Sequence, residues 1–322
     1  MSTKDSFEDY VFSLSKDDFE LLKDSITKRN NMEKYRASSI EELALLKERP
    51  ILCPACGSSD CIKDGHTANG TERYLCKECG HTFILVSKSI FNSMKIDFDI
   101  LARYVQLMSF NLPLEAVEEL CDVSHPTALL WRHKIFATVN EYQDKVWLRD
   151  RVWIDETYMA DSSVLHEDGD IKKRGLSRQK VCIVVAIDIH KNIYAVVHGN
   201  GKPSAKRIYK ALKDHIKPGS ILIHDGDKAH NLLIEKLQLK SEVYIADTHS
   251  KEYLENMALI NNLCSWLKRY LFRFIGMKKE NLQAYLNWFV YLFRVKGNTE
   301  HWPKNERILR HLVLDSSRFT HG

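Results

Sequence analysis

The chain has no run that approaches the roughly 18 uncharged apolar residues of a membrane span, so it offers no candidate membrane helix. Its first ten residues, MSTKDSFEDY, lack the basic-then-apolar order of a secretory leader. It has no strong charge of either sign. A net charge of +4 is too mild to argue for a nucleic-acid partner from the whole chain. Nor are the cysteines spread as a disulfide framework would be. Four of the eight fall in two CxxC pairs, and the rest stand apart at Cys61, Cys121, Cys182 and Cys264. Without an export signal, that usage favours metal binding over disulfides and a reducing compartment, most simply the cytoplasm, in contact with the nucleoid if the source is prokaryotic.

What is present divides the chain into pieces. At 322 residues with 44% hydrophobic content, it has the length of about two soluble domains and enough apolar material for a core. Residues 1–50 are charged and predict a helix over 16–29, capped by Ser15, with Phe19, Leu22 and Ile26 on one face. Residues 51–86 hold Cys53 and Cys56, then Cys76 and Cys79 nineteen residues later. Each CxxC pair can sit on a tight turn that Gly57 or Gly80 permits, and four thiolates close a tetrahedral structural zinc site. The intervening stretch is too small and polar to fold without such a staple. Cys61, His66 and His81 are alternative ligands that the spacing favours less.

Residues 97–140 predict three helices: one with Leu101, Tyr104, Val105 and Met108 on a common face, a second over 114–121, and a third from about Pro126. A helix, a three-residue turn and a helix is the spacing of a helix-turn-helix. On the third helix, Leu130, Trp131, Ile135 and Phe136 would pack inward, leaving Thr127, Arg132, His133 and Lys134 to face outward toward a DNA groove. Plain scaffold is the alternative reading.

From residue 150 onward the pattern changes. Strands are expected at 152–155, 181–188, 193–198, 221–224 and 242–245, helices at 204–215 and 228–237, and long helices at 253–274 and 281–295. Three strands in hairpin style followed by alternating helix and strand make an α/β order with a mixed five-stranded sheet. Two strands run into acids: VWIDETY at 152–158 and SILIHDGD at 220–227. Asp155 and Asp225 would then meet at one rim of the sheet. Carboxylates there are costly to bury unless they are paired or hold a metal, and a pair suits a divalent ion for phosphodiester chemistry. Glu156, on a strand, points to the face opposite Asp155. Asp188 has a turn residue's place, and Asp227 a helix cap's. Two basic runs, residues 172–180 with five cations in nine and residues 268–279 with no acid, are phosphate-binding candidates or simply solvated surface. The aromatics of 281–295 read as core.

The order zinc ribbon, helix-turn-helix, DET strand, DGD strand and the block INNLCSWLKRYLFRFIGMKKENLQAYLNWF, spanning most of residues 50–296, resembles insertion-sequence transposases of the DDE superfamily, in the subgroup whose third catalytic position is Asn followed by Lys. The resemblance implies a ribonuclease H-like catalytic domain at 150–296 behind a helical segment at 1–50, a zinc ribbon at 51–86 and a helix-turn-helix at 97–140, with a tail at 297–322. It implies metal-dependent cleavage at terminal inverted repeats and strand transfer into target DNA. Asp155, Asp225 and Asn261 match the ligands of catalytic Mg²⁺ or Mn²⁺, and Lys268 matches the trailing lysine. Structural Zn²⁺ would sit on Cys53, Cys56, Cys76 and Cys79. Double-stranded DNA would meet Thr127, Arg132, Lys134, Lys172, Lys173, Arg174, Lys268, Arg269 and Arg273, and joining two ends calls for a dimer or larger assembly. The chain departs from the subgroup at Cys264, where His is common, and Glu252 or Glu255 is an alternative third acid. A relative that binds DNA without cutting, and a nuclease on the same fold, are the rival readings.

Overall fold

The computed structural model describes residues 3–46, 50–68, 70–87, 89–91, 96–160, 180–247, 249–274, 276–297 and 304–314. The chain forms two compact units: residues 1–110, 120–122 and 300–322 in one, and residues 111–119 and 123–299 in the other.

The first unit opens with α1 (Thr3–Ser13) and α2 (Lys16–Tyr35). The Ser15 hydroxyl accepts from the Asp18 N–H at 3.1 Å, satisfying a donor that the first helical turn leaves free. The helix runs six residues past the expected end, to an Arg36 cap in the left-handed region at φ 58°. A short α3 (Ile40–Leu45) starts on Ser39 in the same way. A three-stranded antiparallel sheet follows, from β1 (Cys61–His66), β2 (Glu72–Cys76) and β3 (Thr82–Phe83). Tyr74 and Phe83 stack over its small core at 5.9 Å. The unit is completed by α4 (Phe98–Ser109), which buries Leu101, Tyr104, Val105 and Met108 as its periodicity requires. The tail expected at 297–322 contains a helix, Lys304–Leu314, whose Ile308, Leu309, Leu312 and Val313 are buried against α3 and α4. Five charged or titratable residues alternate with those four, which is why the stretch reads as polar.

The helix α5 (Leu114–Cys121) has the expected boundaries, and α6 (His125–Ala137), in the second unit, starts where expected, with Pro126 in its first turn. The sheet is built from β4 (Arg151–Ala160), β5 (Lys180–Asp188), β6 (Ile193–Asn200), β7 (Ile221–His224) and β8 (Lys240–Val243) in the order β6-β5-β4-β7-β8. The strands β4, β5 and β6 are antiparallel, while β7 and β8 run parallel to β4. A mixed five-stranded sheet is what the sequence pattern leads one to expect. Strand β8 begins two residues before its expected place. It pairs on one side only, through KSEV, so it carries little apolar pattern to read.

One face of the sheet, with Val152, Ile154, Val184 and Leu222, packs against α7 (Ala205–Leu212) and α8 (Asn231–Lys236). The other face receives two helices. The single helix expected at 253–274 is in fact α9 (Lys251–Asn256) and α10 (Ala258–Leu271), broken at the buried Met257. The Trp153 indole N–H donates to the Asn256 carbonyl at 2.7 Å, taking up an acceptor at the α9 end, so a tertiary bond supports a break that helix periodicity hides. The last helix of the unit, α11 (Leu282–Gly297), lies against β6 and α6. Its Tyr285, Trp288, Phe289 and Tyr291 are buried, so the aromatic stripe is core as expected. The buried Asn287 carbonyl accepts from Gln143 at 2.6 Å and Gln283 at 3.0 Å. Those glutamines also reach the outer edge of β6: Gln143 bonds the N–H and C=O of Ala195, and Gln283 bonds the Val197 N–H.

Trp288 is 1% exposed and its ring lies 5.6 Å from Phe136 and 5.3 Å from Tyr291. Trp288→Ala is expected to cost about 3–5 kcal/mol in urea unfolding. A loss under about 1 kcal/mol would show that this stripe is not core.

Candidate active site

The register of β4 on β7 pairs Arg151 with Ile221 and Trp153 with Ile223. Two residues further along each chain come Asp155 and Asp225, abreast at the carboxyl end of the parallel pair. Alternation puts Asp155 on the Trp153 face, toward α10, and Glu156 on the opposite face. The Asp155 carboxyl accepts from the Glu156 N–H at 2.8 Å and from the Cys264 thiol of α10. Burial pushes its pKa up to about 6, the charges of Glu156 and Asp225 add to the rise, and those two hydrogen bonds oppose it. Two acids held together in this way favour a cation between them.

Asp225 sits just past β7, 40% exposed, and its Oδ1 accepts from the Asp227 N–H at 2.9 Å. The intervening Gly226 has φ 86°, and a Cβ there would stand 2.9 Å from the Val243 side chain, so the turn requires glycine. Asp227 caps the next turn through the Ala229 N–H at 2.9 Å and pairs with Lys202 at 2.6 Å. Asp188 accepts from the Asn192 main-chain and side-chain N–H groups, the turn role expected of it.

On α10, Asn261 stands one turn before Cys264, and its amide reaches the Tyr253 hydroxyl at 3.5 Å. Burial and the Asp155 charge push the Cys264 thiol up, while the Lys268 ammonium pulls it down. The helix therefore carries Asn261, Cys264 and Lys268 to the Asp155 side of the sheet. Glu252 and Glu255 lie exposed on α9, where Glu255 pairs with Lys251 at 3.7 Å.

Behind Asp225 lies a buried chain that no spacing in the sequence announces. His230 Nε2 meets Glu156 Oε1 at 3.0 Å, His230 Nδ1 meets His224 Nδ1 at 2.9 Å, and His224 Nε2 meets Ser241 Oγ at 3.0 Å. The Glu156 carboxylate can only accept, so His230 Nε2 carries hydrogen. The Gly226 N–H points at His224 Nδ1 at 3.2 Å, so that nitrogen is an acceptor, and the proton between the rings belongs to His230. His230 is thus an imidazolium, with the Asp225 carboxylate 3.9 Å from its Nδ1. Desolvation, the largest single effect, works against that charge, but the Glu156 bond together with the charges of Glu156, Asp225 and Asp227 outweighs it and raises the His230 pKa; burial and the His230 charge lower His224 to about 4.

In the first unit the four cysteine sulfurs lie within 4.8 Å of one another, with Cys53–Cys79 and Cys56–Cys76 at 3.6 Å. A tetrahedron of Zn–S bonds has edges of about 3.8 Å, so the cluster fits zinc. Gly57 and Gly80 close the two turns at φ 77° and 70°, donating to the Cys53 and Cys76 carbonyls. Cys61 instead donates to the Ser58 carbonyl, and His81 stacks on Phe83.

The DNA candidates divide. Lys268, Arg269 and Arg273 are exposed, and Thr127 is half-buried with its hydroxyl bonded to Ser124. The outward placement expected for Arg132 and Lys134 is corrected, because both are buried. The Arg132 guanidinium donates to the Leu112 carbonyl and lies over the Phe274 ring, an inward packing role that α6 periodicity did not reveal. Lys172, Lys173 and Arg174 lie outside the described residues.

Removing one partner of a buried ion pair costs about 3–5 kcal/mol. Glu156→Gln, which leaves the His230 imidazolium without its counter-ion, is expected to lose that much in denaturant unfolding. A loss under about 1 kcal/mol would rule out the proton assignment. Chelation of zinc, or Cys76→Ser, is expected to unfold the ribbon and leave the far-ultraviolet signal of the five-stranded sheet in place; loss of both together would contradict it.

No curated protein shows significant sequence similarity to the chain. Among solved structures it is similar to the simian T-cell lymphotropic virus intasome in complex with PP2A regulatory subunit B56 gamma (12% identity, 65% of this chain, 74% of that chain, TM-score 0.31). It is also similar to the Mos1 strand transfer complex (12%, 70%, 79%, 0.29) and the Mos1 mariner paired end complex with Mn (13%, 70%, 80%, 0.28). Likeness at these scores carries no argument. The segment with both strand-end aspartates and α10, residues 147–294, matches the ISXO2-like transposase domain.

Proposed function

We propose that the chain is a DNA transposase that recognises the terminal inverted repeats of an insertion sequence, cleaves there and joins the freed strand to target DNA. The observation that carries this reading is the pair Asp155 and Asp225, abreast on adjoining parallel strands, with the buried Asp155 carboxyl raised partly by the Asp225 charge. Asp155, Asp225 and the Asn261 amide oxygen would hold Mg²⁺ or Mn²⁺, oxygen ligands suited to hard cations. When bound, those ions supply the charge that activates water, or later a 3′-hydroxyl, and that stabilises the leaving oxygen.

The chain's own residues do the rest. The Cys264 thiol and the Glu156 N–H orient the Asp155 carboxylate, and the His230 charge sits behind Asp225. Lys268, seven residues and two helical turns from Asn261, lies on the same face and is placed to hold a DNA phosphate. Structural Zn²⁺ on the four cysteines would keep the ribbon folded, and the ribbon with α5 and α6 would read the ends, phosphate contacts positioning and base contacts specifying. Because two ends must be brought together, the working form is a dimer or larger assembly on double-stranded DNA.

The test incubates purified protein with a labelled duplex carrying the element's own end, with Mg²⁺ or Mn²⁺. Changes around metal ligands already cost 10–100-fold, so Asp225→Ala and Asn261→Ala should lower cleavage and strand transfer by more than about 100-fold. Glu255→Ala should keep wild-type activity. Loss in Glu255→Ala with retention in Asn261→Ala would move the third ligand to α9. End binding without any cutting by the wild type would instead indicate a DNA-binding regulator.

A further inference from the structure

Phe272, which caps the carboxyl end of α10, is 78% exposed, while Tyr270, Leu271 and Phe274 around it are buried. The fold thus fills its core from the neighbours and leaves this ring in water. At 3.6 residues per turn, Asn261, Ser265, Lys268 and Phe272 fall within about 60° of one another, so they form one stripe along the helix. It starts at Asn261, one turn before the Cys264 that donates to Asp155, and ends at Phe272, about 16 Å further along the axis. Ser265 and Lys268 are exposed on it, Arg269 flanks it, and residues 258–279 contain no acid. A polar and cationic track that ends in a bare aromatic ring matches the two parts of a nucleic-acid strand, phosphates along the track and a base on the ring. Trp266, on another side of the same helix, is 48% exposed and has a ring partner, Phe293, at 6.1 Å. It is therefore the weaker candidate.

We propose that Phe272 is a stacking platform for an unpaired base of the DNA strand whose phosphates lie on Lys268 and Arg269, so that α10 holds a locally opened strand leading into the active site. The length of the stripe places the stacked base near but not at the scissile phosphate. This rests on the transposase reading, and it adds a structural demand: the end must be frayed or opened where it crosses the helix. Recognition is sequence-tolerant, since every base offers a π-face.

The experiment uses the zinc-loaded full chain without Mg²⁺ or Mn²⁺, so that no cutting occurs. It measures binding of a single-stranded oligonucleotide carrying one 2-aminopurine, moved position by position, and of a duplex of the same sequence. Base–aromatic stacking by alanine substitution corresponds to roughly 5- to 150-fold in affinity. Phe272→Ala and Phe272→Leu should lose that much for the single strand and leave duplex binding within about twofold. Phe272→Trp should retain wild-type affinity, and 2-aminopurine fluorescence should be quenched at one position by wild type and not by Phe272→Ala. Circular dichroism should match in all variants, because the ring is not core. Wild-type single-strand affinity in Phe272→Ala would overturn the proposal. So would wild-type affinity in Phe272→Leu, which would mean a plain apolar contact, or a change in protomer association with DNA binding intact, which would mean a protein interface. A wild type that binds the single strand through Phe272 but never cleaves the element's end in Mg²⁺ would sink the transposase reading alone.

Discussion

Two like charges held side by side are the constraint around which the second unit is arranged. Asp155 and Asp225 stand abreast because β7 is parallel to β4 in a sheet whose first three strands are antiparallel. An antiparallel β7 would carry Asp225 to the other rim. Parallel pairing needs a crossover, and α7 supplies it while packing its Ile208, Ala211 and Leu212 under the sheet. The helix that shields the acids on the other side, α10, can lie flat on β4 because α9 breaks off at Met257. The carboxylates thus dictate the one place where the sheet changes direction, and much of the surrounding architecture serves that change.

Charge compensation there is divided between two faces. On the face that α10 covers, Asp155 is met by the Cys264 thiol and a main-chain N–H. On the opposite face, Glu156 and His230 form a buried pair whose cation is near Asp225. A strand that presents adjacent acids to opposite faces therefore gives each different partners, one toward α10 and Asp225, the other toward the histidines of the scaffold.

Much of this was legible in the sequence, for reasons that can be named. The ribbon was legible because thiolate spacing and the two glycines encode a local geometry. The sheet was legible because its buried strands are dense in Val and Ile, and the two acids because they interrupt such runs. What escaped reading depended on tertiary contacts. The α9–α10 break is supported by an indole from another strand, β8 shifted because an edge strand carries little apolar signal, and the helix Lys304–Leu314 buries its four apolar residues only against partners far away in sequence. Arg132 looked like a groove-reading residue because a cation on a short helix after a turn is usually exposed; here Leu112 and Phe274 take it inward. His224 and His230 have no motif at all, since their significance comes from a strand end and a turn folding back to back.

The glutamines at the rim of β6 bear on how copies of the chain can meet. An outer strand normally offers its unused N–H and C=O groups to any passing chain. Here the Ala195 N–H and C=O and the Val197 N–H are engaged by the side-chain amides of Gln143 and Gln283, which act as a short false neighbour strand. The opposite rim is only the polar KSEV of β8. With part of one border occupied from within and the other brief and hydrophilic, the sheet resists extension by a passing strand. That disfavours association through unpaired backbone.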